Sequence, residues 1–163
     1  PNTVAQSVKA ASNLGVWMLN VHASGGSIMM NAAKEATSEL LKPPLIIGVT
    51  MLTSLSEKDI NEIGIQGISN QALSLASLAK KNSLDGVVCS VNEVRRIKEL
   101  LGKDFITVTP GIRFSDSQKD DQSRVSTARN AIENGSDYLV IGRPITQSDN
   151  PMNSLDSIIQ EIS

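Results

Sequence analysis

Short apolar runs alternate with longer amphipathic stretches along the chain. The runs are five to seven residues long and nearly continuous in apolar character, at 16–22, 45–50, 86–90, 105–109 and 138–142. Such runs are typical of strands buried on both faces of a parallel sheet. Between them, apolar residues recur at helical spacing, as Val4, Val8 and Ala11 do. The pattern predicts the order α-βα-βα-βα-βα-βα and one α/β domain over residues 1–163.

Two architectures fit this alternation, an open doubly wound sheet and a (β/α)8 barrel. A complete barrel takes eight strands and about 250 residues, whereas this chain has 163 residues, so pattern and length alone favour a five-stranded, flavodoxin-like sheet. Polar or glycine-containing turns, however, follow four of the runs, at 22–26, 50–54, 109–113 and 142–146. Several such turns converge at the carboxyl end of a barrel, while an open sheet has one principal crevice. Their placement therefore favours the barrel.

Local signals also predict where some helices begin. Ser56 is followed three residues later by Asp59, a spacing that resembles a capping box. Asn92 is a plausible cap for the helix that follows the run at 86–90.

Composition narrows the classes of function. The net charge is -2, which excludes a broad positive field for nucleic acid or an anionic membrane. Apolar runs stay far below the ~20 residues of a membrane-spanning helix. The one cysteine, Cys89, lies inside an apolar run, and we expect a buried thiol in a protein of the reducing cytoplasm.

The last two turns carry the clearest chemistry. Phosphate often binds in barrels to the loops after strands seven and eight. Gly142 would let the backbone approach such a ligand, the N–H groups after it can point at an anion, and Arg143 can donate two hydrogen bonds to phosphate oxygens. Arg113 could do the same from across the site. The alternative for either arginine is a surface residue in a minor ion pair.

Two further features remain open. The polar stretch 114–122 is long for a loop between a strand and a helix. It is either a solvated loop or a lid that turns Gln122 inward over a ligand. His22, the only histidine, ends a strand. It could act as a general acid, although a lone histidine is more often a hydrogen-bonded structural group. The sequence shows neither metal-ligand spacing nor a nucleotide-binding fingerprint.

Four segments resemble the bacterial orotidine 5'-monophosphate decarboxylases. Residues 16–26 (VWMLNVHASGG) are similar to the fourth strand and turn of that family, and residues 84–90 (LDGVVCS) to its sixth strand. Residues 108–113 (VTPGIR) and 137–146 (DYLVIGRPIT) resemble its seventh and eighth strands. The resemblance covers essentially the whole chain, in order, and implies strands four to eight of a (β/α)8 barrel.

The resemblance also implies a reaction. Members of the family convert orotidine 5'-monophosphate to uridine 5'-monophosphate in pyrimidine biosynthesis, without cofactor or metal, as homodimers that share each active site. The resemblance further implies that Arg113, Gly142 and Arg143 hold the phosphate and that Gln122 closes over the ligand. The remaining implied binding residues are Pro110 in the apolar part of the pocket, Thr53 and Ser54 after strand five, and Thr3 across the dimer interface.

The family's catalytic signature, Asp-x-Lys-x-x-Asp-Ile-Pro-Asn-Thr, ends in the three residues that open this sequence. We therefore expect strands one to three and the catalytic lysine to lie outside the printed sequence, in a protein of about 230–240 residues. No catalytic residue is predicted within the chain. The alternatives are a related sugar-phosphate decarboxylase or epimerase barrel, which needs a metal, and an inactive nucleotide-binding module.

Overall fold

The computed structural model describes residues 1–114 and 126–163. Its sheet has five parallel strands in the order of the sequence. Each predicted run contains one of them, trimmed at the ends where backbone pairing stops. The strands are β1 (Met18–His22), β2 (Leu45–Val49), β3 (Gly86–Val88), β4 (Ile106–Thr109) and β5 (Tyr138–Leu139).

Helices connect the strands. They are α1 (Asn2–Ser12), α2 (Gly26–Glu35), α3 (Glu57–Glu62), α4 (Ile68–Lys81), α5 (Val91–Leu101), α6 (Ala128–Glu133), α7 (Arg143–Thr146) and α8 (Pro151–Ile162). Apolar periodicity predicted neither α3 nor α7, because each is little longer than one turn; only the start of α3 was predicted, from its capping box. None of the helices in the described part of the chain combines the length and hydropathy needed to cross a bilayer.

Helix starts follow the predicted capping chemistry in one case and depart from it in another. Ser56 caps α3, and its N–H donates to the Asp59 carboxylate at 2.7 Å, so the predicted capping box is confirmed. The prediction for Asn92 is wrong, because the N-cap of α5 is Ser90, which forms a capping box with Glu93. Asn92 lies one residue inside the helix, on its exposed side.

Strand order decides between the two architectures. A flavodoxin-like sheet has the order 2-1-3-4-5, whereas every neighbouring pair here is consecutive in sequence. Consecutive parallel strands joined by helical crossovers of one hand place all their helices on one face of the sheet, as in a barrel. The predicted α/β class is confirmed, and the order is that of successive barrel strands. The sheet formed by the described residues is not closed.

Two carboxylates fix the amino ends of the strands. Asp85, just before β3, accepts hydrogen bonds from the Ile46 N–H at 2.7 Å and from Lys34 at 2.6 Å. Asp137, just before β5, accepts hydrogen bonds from the Thr107 N–H at 2.7 Å and from Lys98 at 2.6 Å. Each carboxylate thus joins a strand to the preceding strand and to a helix.

The core divides into two clusters. The larger lies between the sheet and helices α1, α2, α4 and α5, and it includes Cys89, whose predicted burial is confirmed. The smaller cluster consists of Val91, Ile112, Ala128, Ala131 and Ile158, and Leu139 of β5 packs against it. This second cluster supports the turns that carry the candidate site.

Candidate functional site

The carboxyl ends of the strands are aligned by the sheet register. His22 pairs with Val49, Val49 with Val88, and Val88 with Val108. The register therefore brings the turns that follow the strands to one edge, as the sequence predicted. This edge is where active sites of parallel α/β proteins lie.

The turn after β4 is held by backbone pairing. Gly111 has a positive φ of 79°, which a residue with a side chain rarely adopts. Ile112 pairs with Ser126 in a parallel bridge. The Arg113 N–H donates to the Ser126 carbonyl at 2.9 Å, and the Ser126 N–H donates to the Gly111 carbonyl at 3.2 Å. The backbone that carries Arg113 is therefore anchored on both sides.

The Arg113 side chain is half-buried, and its hydrogen bonding is incomplete. One terminal guanidinium nitrogen donates to the Ile112 carbonyl at 2.8 Å. Its Nε is buried and has no hydrogen-bond partner within residues 1–114 and 126–163. Buried donors almost always have partners, and a guanidinium matches the oxygens of phosphate or carboxylate. The side chain is therefore equipped to receive an anion.

The turn after β5 places Gly142 and Arg143 at the start of α7. Beside Gly142 there is open space among the described residues, since a Cβ added there would meet none of their atoms within 4 Å. The Ile145 and Thr146 N–H groups both donate to the Gly142 carbonyl, at 2.9 and 3.0 Å, and Pro144 has no N–H. The predicted row of amide donors after Gly142 is thus largely used within the turn. An anion here would depend mainly on the Arg143 guanidinium.

Both arginine-bearing turns rest on the same apolar cluster. Thr109 and Leu139 are partners in the sheet, and each is followed four residues later by an arginine, Arg113 or Arg143. Ile112, beside Arg113, belongs to the smaller cluster, and Ile145 of α7 packs against that cluster. The structure therefore brings these two turns together, as the predicted phosphate site requires.

The turn after β2 is tied to β3. The Thr50 N–H and hydroxyl both donate to the Val88 carbonyl, at 3.1 and 2.8 Å. Three residues later Thr53 is buried, at 6% exposure, and Ser54 beside it is exposed. Pro110, which follows β4 on the other side of β3, is half-buried. These three predicted binding residues thus lie at the same edge as the arginines.

Thr3 reaches this edge from α1. A cavity of about 560 Å³ lies between α1 and β1, with Val4 and Ser7 on one side and His22 and Ser24 on the other. The start of α1 therefore lies beside the carboxyl end of β1, and Thr3 is exposed there. His22 is exposed and lines the same cavity, so its role as acid or structural group stays a prediction. Gln122 and the proposed lid, apart from its first residue Phe114, fall in 115–125, outside the described residues.

Sequence reasoning missed one pair at this edge. Glu93 is buried beneath the end of β3, and both the N–H and the hydroxyl of Ser90 donate to its carboxylate. The signal was present, since a serine followed by glutamate three residues later is a capping box. The apolar run at 86–90 led us to assign Ser90 to a strand rather than to a helix cap.

Comparison with known proteins identifies the family. The model of the orotidine 5'-phosphate decarboxylase / HUMPS family matches residues 1–158. The orotidine 5'-phosphate decarboxylase of Saccharophagus degradans is 52% identical, over 100% of this chain and 69% of its own length. That of Chromobacterium violaceum is 54% identical, over 100% of this chain and 66% of its own length.

A solved structure agrees with these relatives. The crystal structure of orotidine 5'-phosphate decarboxylase from Lactobacillus acidophilus superposes with a TM-score of 0.83 at 38% identity, covering 100% of this chain and 70% of that one. The likeness extends over both the sheet and the turns at its carboxyl edge. The chain therefore belongs to the orotidine 5'-phosphate decarboxylase / HUMPS family.

Proposed function

We propose that the protein acts in the decarboxylation of orotidine 5'-monophosphate to uridine 5'-monophosphate, and that residues of this chain bind the nucleotide. The observation that carries the proposal is the pair of neighbouring turns after β4 and β5. They present Arg113 and Arg143 from one apolar cluster, and the buried Nε of Arg113 has no partner in the described part of the chain. A phosphate dianion would supply the missing acceptor.

The binding roles follow from the placement of the turns. Arg113 and Arg143 would hold the phosphate, and the open space beside Gly142 would admit it. The residues proposed for the rest of the nucleotide are Thr53, Ser54 and Pro110, with Gln122 closing over it. We assign no cofactor or metal to the reaction.

The energetic logic links this binding to the chemistry. Decarboxylation breaks a carbon–carbon bond, releases carbon dioxide and leaves an electron pair that takes up a proton. Binding energy from the phosphate, which does not react, can be used to hold the pyrimidine in the geometry of the transition state. The arginines of this chain would therefore raise the rate without touching the bond that breaks.

The proposal extends to assembly and location. We propose a homodimer in which Thr3, exposed at the start of α1, contacts the nucleotide bound by the partner subunit. We place the protein in the cytoplasm, where nucleotide synthesis takes place and where the buried thiol of Cys89 would stay reduced. Sedimentation velocity with and without uridine 5'-monophosphate would test the dimer.

Two measurements on the purified protein test the function. Calorimetric titration with uridine 5'-monophosphate tests binding, and carbon dioxide release from orotidine 5'-monophosphate tests the reaction. We expect both to be positive, and activity to survive chelation, unlike that of a metal-dependent sugar-phosphate barrel. Binding without carbon dioxide release would reject the enzymatic proposal in favour of a nucleotide-binding module. Absence of binding would reject the site itself.

A further inference from the structure

A buried carboxylate lies at the carboxyl edge of β3, outside the residues assigned above. Glu93, in the first turn of α5, is 1% exposed. One carboxylate oxygen accepts from the Ser90 N–H at 2.9 Å and from the Ser90 hydroxyl, and the other accepts from the Ser69 hydroxyl at 3.4 Å. Burying a carboxylate costs free energy unless donors surround it. The hydrogen bonds from Ser90 and Ser69 offset that cost for Glu93.

Two attachments bracket the segment between β2 and α4, and the second belongs to the Glu93 network. At its start, Thr50 is tied twice to the Val88 carbonyl at the end of β3. At its end, Ser69 in the first turn of α4 is tied to Glu93. Both attachments converge on the few residues from Val88 to Glu93. The turn that carries Thr53 lies between these two attachments, three residues after Thr50.

We propose that Glu93 is a positioning residue, which holds the turn carrying Thr53 and Ser54 in place for the nucleoside part of the ligand. The inference rests on the proposed function. Because β2 and β4 flank β3, they lie roughly 10 Å apart. A ligand whose phosphate is held after β4 and β5 would extend across β3 to reach the turn after β2. Glu93 would therefore govern affinity for the nucleoside part and not for the phosphate.

Two substitutions separate the network from the mere presence of a polar side chain. In Glu93→Gln, the amide oxygen can accept from Ser90, while the NH2 group donates to the Ser69 hydroxyl, which can also accept. In Glu93→Ala, the Ser90 N–H loses its acceptor and a cavity opens beside it. We expect glutamine to keep the turn in place and alanine to release it.

The test compares two ligands on the full protein by calorimetric titration. For Glu93→Ala we expect uridine 5'-monophosphate to bind about tenfold more weakly, and ribose 5-phosphate to change by less than about twofold. Glu93→Gln should bind both ligands as the unaltered protein does. Asp85→Ala is the matched control, since Asp85 accepts a backbone hydrogen bond at the opposite end of the same strand. It should reduce stability and leave both affinities unchanged.

The outcomes distinguish the inference from the proposed function. If the unaltered protein binds neither ligand, the proposed function fails and the inference fails with it. If it binds uridine 5'-monophosphate and Glu93→Ala keeps that affinity, or loses both ligands equally, only the inference is overturned. Should Glu93→Ala not fold, Ser90→Ala removes a single donor from the network. A selective weakening of nucleotide binding by a few fold would support the inference, and an unchanged affinity would overturn it.

Discussion

The rings of Trp17 and Tyr138 meet across the open side of the sheet, with their centroids 5.2 Å apart and their planes tilted by 55°. Trp17 immediately precedes β1 and Tyr138 begins β5, so the two residues belong to opposite edge strands. In a flat sheet the backbones of those strands would lie roughly 19 Å apart, too far for the two side chains to touch. The contact therefore shows that the five strands curl into an arc, as barrel strands do.

This contact should stabilise the arc. A double-mutant cycle with Trp17→Ala and Tyr138→Ala should give a coupling free energy of about 0.5–1.5 kcal/mol in urea unfolding, the range of offset and edge-to-face aromatic pairs. Circular dichroism is the suitable probe, because Trp17 is the only tryptophan. Leu14→Ala, at a residue 80% exposed, should be close to neutral. Strictly additive effects of the two ring substitutions would mean that the contact contributes nothing.

The arc could not be predicted from the pattern of apolar residues. The apolar run that contains β1 predicts a strand buried on both faces. Such a strand occurs in flat sheets and in curved ones, so the run does not distinguish between them. Curvature depends on which strands are neighbours, and that depends on the path of the crossovers. The position of polar turns gave the correct architecture because ligand sites constrain where strand ends must meet.

The site was predictable in part for the same reason. Arg113 and Arg143 could be placed at one edge, because each follows a recognisable strand by a short turn. Their common support on Ile112 and Ile145 could not, since it joins residues that are distant in sequence. Glu93 was missed because a helix cap embedded at the end of an apolar run reads as part of the strand.

Arg143→Ala should weaken binding of uridine 5'-monophosphate by about 30-fold, because it removes a charge-assisted hydrogen bond worth about 2 kcal/mol. Ribose 5-phosphate should be weakened to a similar extent, since both ligands carry the same phosphate. Arg96→Ala is the matched control, at an exposed arginine on α5. Titration calorimetry on the unaltered protein and the two variants measures these affinities. If Arg143→Ala binds both ligands as tightly as the unaltered protein does, Arg143 is not part of the phosphate site.

Arg113→Met should separate stability from binding. Methionine keeps much of the length of the arginine side chain and eliminates the buried Nε that has no partner among the described residues. An unsatisfied buried donor costs about 1–3 kcal/mol, so the free energy of unfolding should stay the same or rise. Affinity for uridine 5'-monophosphate should fall about tenfold or more. A variant that is clearly less stable would show that Arg113 is a structural residue.

Gly142→Ala and Gly86→Ala form a contrasting pair. A methyl group at Gly142 would enter open space, whereas one at Gly86 would overlap the Ile106 carbonyl on the adjacent strand. Gly86→Ala should cost about 3 kcal/mol or more in thermal or urea unfolding, because the strands cannot separate without losing their pairing. Gly142→Ala should change stability far less and weaken nucleotide binding, since the methyl group would occupy the space proposed for the phosphate. Unaltered binding by Gly142→Ala would place the phosphate elsewhere.

The capping box of α3 should make stability depend on pH in the acid range. Hydrogen bonds from the Ser56 hydroxyl and N–H lower the pKa of Asp59. The unfolded chain should have the ordinary pKa of about 3.9. Since the pKa is lower in the folded state, the contribution is fully present above the unfolded pKa. It is lost as the pH falls through the folded pKa.

We therefore expect Asp59→Asn to be less stable than the unaltered protein at pH 6. The difference between their free energies of unfolding should shrink as the pH is lowered towards 2. Urea unfolding across this range, with Glu62→Gln as the control at the other end of α3, measures the effect. A deficit that stays constant with pH would show that the carboxylate charge has no part in the cap.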